Sequence, residues 1–176
     1  NCYQPNDRSR SASAAPSRES LGLAHADVVF AGFNASWKLN AEVLDAWARI
    51  LVATPRSVLW MLARDDDDPV IGNARRELAR RGVAGERVVF ATRRAEPDYL
   101  AMFGAADIFL DSWPYNAHTT ASDALWMGCP VVTRLGETFA GRVGASLLHA
   151  VGLPELAADG RGGYIALAIA LARDPD

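Results

Sequence analysis

Short runs of β-branched and aromatic residues alternate along this chain with amphipathic stretches, and that alternation limits the fold more than any other feature. Val28-Val29-Phe30 is the first strand candidate. Asn40 then sits where a helix cap belongs, before Val43, Leu44, Trp47, Ile50 and Leu51 at helical spacing, with Pro55 closing the segment. A strand over Ser57 to Leu62 leads to a helix over 70–81, stopped by Gly82. Val88-Val89-Phe90 precedes a helix starting near Glu96-Pro97, and Ile108-Phe109-Leu110 precedes a long loop and a helix over 119–127, ended by Gly128. Val131-Val132 precedes a helix at about 139–150, and a weak strand near Glu155-Leu156 precedes a last helix over 165–172. The strands read as continuously apolar rather than alternating, which implies a parallel sheet covered on both faces. The right-handed crossover rule makes it doubly wound, so an α/β Rossmann-like fold is expected.

A chain of 176 residues, half of them hydrophobic, suits one such domain with a sizeable core. Residues 1–26 are rich in Ser, Ala, Arg and Pro and read as an extended arm or linker ahead of a lobe over 27–176. The net charge is −3 and the basic residues are scattered, which argues against a nucleic-acid partner. Charges interrupt every apolar stretch, so no membrane partner is expected. The chain opens on Asn1 with no signal segment after it, and reads as a piece of a larger protein. Cys2 and Cys129 lie far apart without metal-ligand spacing, and a reducing, cytoplasmic setting is expected.

In an open parallel sheet, ligands sit beyond the carboxyl ends of the strands, where strand order reverses. That directs attention to the loops over 32–38, 93–96, 111–120 and 133–138. None is a phosphate-binding loop of the P-loop or GxGxxG kind. The most informative runs from Asp111 through Asn116-Ala117-His118-Thr119-Thr120 into Ala121-Ser122-Asp123. First-turn amides of a helix have no intrahelical partner and sit at the positive end of its dipole, so they suit a pyrophosphate. Asp123, one turn in, could accept hydrogen bonds from ribose; equally, Thr120 could cap the helix and Asp123 complete a capping box. Lys38 reads as a phosphate-neutralising cation or a solvated loop lysine, and His118 as a ligand contact or a turn cap.

The segment from Asn116 to Trp126 resembles the nucleotide-binding signature of the O-linked N-acetylglucosamine transferase / SPINDLY family. Gly136-Glu137-Thr138 with Arg142-Val143 and Ala145-Ser146 resembles that family too, as do Phe33-Asn34 with Lys38, and Ser57-Val58-Leu59-Trp60. The opening Cys2-Tyr3-Gln4-Pro5-Asn6-Asp7 is similar to the segment preceding the C-terminal catalytic lobe in bacterial members. The resemblance implies the C-terminal lobe of a two-lobe, GT-B type glycosyltransferase. It implies a donor site in which His118, Thr119 and Thr120 hold the diphosphate and Asp123 holds ribose. Lys38 would act on the leaving phosphate, and Asn34, Arg94 and Tyr99 would complete the nucleotide contacts. The implied donor is UDP-N-acetylglucosamine, the acceptor a protein Ser or Thr, and no metal or other cofactor is needed. The general base would lie in an N-terminal lobe, and helical repeats would recruit the acceptor. Three positions depart from the family pattern: Glu96 stands for a Lys and Tyr99 for a His, while Ala35 replaces a Gln. Those departures leave open another donor, such as GDP-fucose or UDP-glucose, and a degenerate interaction module that turns nothing over. The run Asp65-Asp66-Asp67-Asp68 reads as a solvated loop rather than a metal site. Trp47, Trp60 and Trp126 read as structural, with Trp113 and Tyr115 on the ligand side.

Overall fold

The computed structural model describes residues 7, 9–24 and 26–174; Cys2 through Asn6 of the opening motif lie outside them. Strands β1 (Val28–Gly32), β2 (Ser57–Ala63), β3 (Val88–Thr92), β4 (Ile108–Leu110), β5 (Val131–Leu135) and β6 (Ala157–Asp159) form one sheet. Every recorded pairing is parallel and the order is β3-β2-β1-β4-β5-β6, so the sheet is doubly wound as the apolar runs predict.

Helices α1 (Ala41–Ala53), α2 (Pro69–Ala79) and α6 (Gly160–Arg173) cover one face, with Trp47, Ile50, Leu78 and Tyr164 in their core. Helices α3 (Glu96–Met102), α4 (Thr119–Trp126) and α5 (Val143–Val151) cover the other, over Trp60, Phe103, Phe109 and Leu147. Caps set several boundaries. Asn40 accepts from the Val43 amide at 3.0 Å, and Asp68 caps α2 with Pro69 at its first position. Gly128, at φ 78°, provides the left-handed turn after α4.

The structure corrects three boundaries. Glu155 and Leu156 belong to a 3-10 turn begun by Pro154, and the backbone that pairs with β5 is Ala157–Asp159. The last helix starts at Gly160 rather than 165. The helix expected from Phe139 divides, because Thr138 caps a 3-10 turn by accepting from Gly141, and α5 begins only at Val143. Nor is the described part of the arm a loose linker. The Ser13 amide donates to the Pro97 carbonyl, Arg18 grips Asp107 and the Ala105 carbonyl, and Leu23 is fully buried. The described residues from 9 to 24 make their contacts on the α3 side of the sheet.

Candidate functional site

Strand order reverses between β1 and β4, so the loops that leave them part company and open a crevice. The β4 loop is built around Asp111, whose carboxylate is completely buried. It accepts from the Ser112 amide at 2.7 Å, the Ala117 amide at 2.6 Å and the Thr133 hydroxyl at 2.6 Å. Burial pushes its pKa up to about 7 against those donors and the charge of Lys38. Asn116, also buried, donates to the Ser112 carbonyl and accepts from the Gly144 amide. The 136–142 loop backs this turn: the Asn116 amide donates to the Ala140 carbonyl, a Cβ at Gly136 would meet the Gly141 carbonyl at 2.9 Å, and one at Gly141 the Pro114 carbonyl at 2.9 Å.

Onto this frame the β1 loop brings Lys38. Its Nζ donates to the Asn116 carbonyl at 2.8 Å and lies 4.3 Å from the centre of the Tyr115 ring. Burial pulls the Lys38 pKa down, opposed by Asp111. The His118 ring stacks on Tyr115 at 4.8 Å and faces the edge of Phe139. Burial lowers the His118 pKa against a hydrogen bond with the Ala140 backbone, which favours neutral imidazole at pH 7. His118 is also the N-cap residue of α4 by position, but its side chain makes no cap bond. Thr119 is exposed at that helix start and Thr120 half-buried beside it. Lys38 and His118, separate in sequence, therefore converge at the N-terminus of α4.

On the other side of the crevice lies a cleft of about 290 Å³. Phe33, Asn34, Arg64, Arg94, Tyr99 and Thr120 are among its walls. The Tyr99 hydroxyl lies near the Thr120 side chain, and its ring leans on Phe33 and Phe103. Arg94 is exposed at the rim, next to Arg93. Asn34 is nearly buried. Its amide donates to the Leu110 carbonyl and its oxygen accepts from Ser112, so that side chain is committed to joining the two loops.

Asp123 does not cap its helix in this conformation. It makes no cap bond; its carboxylate, 5% exposed, pairs with Arg10 of the arm at 2.7 Å. Burial raises the Asp123 pKa and Arg10 opposes the rise. Arg10 also pairs with Glu96 at 2.8 Å. A guanidinium thus lies between the two acidic side chains flanking Tyr99, a link that no local sequence signal announces. Gly144 was equally invisible as a site residue, since its place depends on close approach to Asp111 and Thr133 from distant segments.

Other expectations resolve simply. Asp68 caps α2 and binds Arg64, and Asp65 accepts from the Asp67 amide. Cys129 is buried. Trp47 and Trp60 are buried as expected, Trp113 is 4% exposed, and Trp126 is 40% exposed rather than interior. No helix among the described residues is long and apolar enough to cross a membrane.

The fold is Rossmann-like, with a cation, an imidazole and a helix start gathered at its switch point. Comparison with known proteins gives the particular lineage: residues 6–176 match the model of glycosyl transferase family 41, and the chain belongs to that family. It is 37% identical over 162 residues, 91% of its length, to a UDP-N-acetylglucosamine–peptide N-acetylglucosaminyltransferase of Caenorhabditis elegans. It is 36% identical over 98% of its length to a probable enzyme of the same name, SPINDLY, from Petunia hybrida. These matches span 14% and 18% of the relatives' own lengths. A mutant O-GlcNAc transferase of Thermobaculum terrenum superposes with a TM-score of 0.84 at 40% identity, over 96% of this chain and 31% of that one.

Proposed function

We propose that this chain is the donor-binding lobe of a GT-B type protein O-glycosyltransferase that moves N-acetylglucosamine from UDP-N-acetylglucosamine to Ser or Thr. The observation carrying the reading is the convergence of Lys38 and His118 at the start of α4. The two curated relatives named above support the choice of donor and acceptor. As the glycosidic bond breaks, negative charge gathers on the departing diphosphate. Lys38, the first-turn amides of α4 and the hydroxyls of Thr119 and Thr120 would meet it already oriented, which is where electrostatic catalysis has its effect. The cleft beside Tyr99 would receive the nucleoside, the ring offering a face for the base. No metal is required in this scheme, because Lys38 and the helix start carry the countercharge. The general base and most of the acceptor site would belong to a second lobe.

Glu96 and Tyr99 favour one second reading, a different nucleotide base, because Glu96 puts negative charge at the rim and is bound to Arg10. Calorimetric titration with UDP, UDP-N-acetylglucosamine, GDP and GDP-fucose separates the readings. The uridine ligands should bind and be insensitive to EDTA. Lys38→Ala should weaken UDP about ten- to a hundredfold, the loss expected for a charged hydrogen bond. Tighter binding of the guanosine ligands would establish the second reading. Binding of none would leave a module without donor, and restoration of binding by magnesium after EDTA would refute the metal-free scheme.

A further inference from the structure

We infer that Asp111 is a positioning residue for Lys38, acting through the single peptide group that joins Asn116 to Ala117. The inference rests on the reading of Lys38 as the cation that meets the donor phosphates. The carbonyl of that peptide accepts from Lys38 Nζ at 2.8 Å, and its N–H donates to Asp111 Oδ1 at 2.6 Å. A peptide group is planar, so the direction in which the N–H meets the carboxylate also fixes the direction of the carbonyl. Ammonium and carboxylate thus face opposite ends of one dipole, and each polarises the group in the sense that favours the other.

The carboxylate cannot easily move. Ser112 and Thr133 hold it from two further sides, and it is completely buried. A Cβ on Gly144 would stand only 2.7 Å from Asp111 Oδ2, so that helix approaches as closely as a residue without a side chain allows. The Tyr164 hydroxyl donates to the Asp111 carbonyl at 2.9 Å while accepting from the Trp47 indole at 3.0 Å, which ties the same residue to α6 and α1. Asn116 is pinned at both ends of its side chain. Lys38 is a long side chain at the end of a 3-10 turn, and the fixed carbonyl together with the Tyr115 ring holds its ammonium in place. Lys38 is therefore pre-placed at the crevice before any ligand arrives, which spares the ordering cost at binding.

The test measures UDP and uridine binding to the full chain as wild type, Lys38→Ala, Asp111→Asn and the double variant. Asparagine keeps the shape, can still accept both amides and can donate to Thr133, so the fold is retained while the charge is lost. Asp111→Asn should weaken UDP about fivefold to tenfold, leave uridine unchanged, and add nothing in the Lys38→Ala background. Equal weakening of UDP and uridine would mean a general structural role and overturn the inference, as would a full Asp111→Asn effect without Lys38. If Lys38→Ala alone binds UDP as wild type does, the phosphate reading under the proposed function falls first, and this inference with it. Should Asp111→Asn not fold, Thr133→Val, which removes one hydrogen bond to the carboxylate, carries the same four-way comparison.

Discussion

The two sides of the crevice are built by different means. On the β4 side, the buried groups Asp111, Asn116, Thr133 and Gly144 hold one another by hydrogen bonds and close approach, and Lys38 and His118 are placed on top of that frame. On the β3 side, Tyr99, Arg94 and Thr120 surround an open cleft, and the polar link that stiffens it comes from outside the sheet, through Arg10 of the arm. A frame of mutually satisfied buried groups tolerates little change in any member. A cleft edged by solvated side chains and one bridging arginine can be altered piece by piece.

The comparison breaks most visibly if the frame can absorb a methyl group. A Cβ at Gly144 would lie 2.6 Å from Thr133 Oγ1 and 2.7 Å from Asp111 Oδ2, both well inside ordinary contact. Neither atom is the end of a free side chain, since they are bonded to each other at 2.6 Å. Gly144→Ala should therefore cost about 3 kcal/mol, the upper part of the usual range for overpacking. Urea unfolding gives the figure; a loss below about 0.5 kcal/mol would show that the frame yields and that its rigidity has been overstated.

How much of this could be read in the sequence differs between the same two sides. The strands announced themselves because fully buried parallel strands need uninterrupted apolar residues, as in Ser57 to Leu62. Strand β6 did not, since Ala157-Ala158-Asp159 has small residues and its pairing with β5 is a backbone matter. The helix start at Thr119 and its neighbours Lys38 and His118 were legible as chemistry and as family motif. Asp111 was read only as the first residue of a loop, because a carboxylate at a strand end looks the same whether solvated or buried. Asn34 was assigned to the ligand, yet its two polar atoms are used within the protein. The arm was least legible: polar, Arg-rich composition describes a linker and a charge-anchored strap equally well. Only the fold brings Arg10 to residues 86 and 113 positions away.

Arg10 sharpens the comparison at the next level of effect. Removing one partner from a fully buried ion pair costs about 3–5 kcal/mol, and Arg10's remaining contact with water brings the expectation for Arg10→Ala to about 2 kcal/mol. Asp123, left buried without a counterion, should have its already raised pKa pushed higher. Arg10→Lys should recover only part of the loss, because a point charge cannot hold Glu96 and Asp123 at once as the guanidinium fork does. Denaturant unfolding of the three proteins at pH 7 decides it. If Arg10→Ala is as stable as wild type, the arm is no strut and the β3 side stands on its own packing.

The smallest effect belongs to Tyr99→Phe, and it tests the claim that polar groups on the cleft side can be removed one at a time. The Tyr99 hydroxyl lies near the Thr120 side chain, and burial among apolar neighbours raises its pKa well above the usual phenolic value. Deleting the hydroxyl leaves the ring, with its contacts to Phe33 at 6.3 Å and Phe103 at 5.4 Å between centres. Thr120 is only half-buried, so its hydroxyl can turn to water within the cleft rather than remain unsatisfied. The loss should then be no more than about 1 kcal/mol of stability, the net worth of an ordinary hydrogen bond. Affinity for UDP should change by less than about threefold, because any stacking on the base uses the ring face that phenylalanine retains. Tyr99→Ala is the contrast, since it removes the face and opens a gap against Phe33 and Phe103. A Tyr99→Phe variant as impaired in UDP binding as Tyr99→Ala would mean that the hydroxyl, through Thr120, helps to hold the start of α4. The β3 side would then belong to the same interlocked frame as Asp111, and the division between the two sides would disappear.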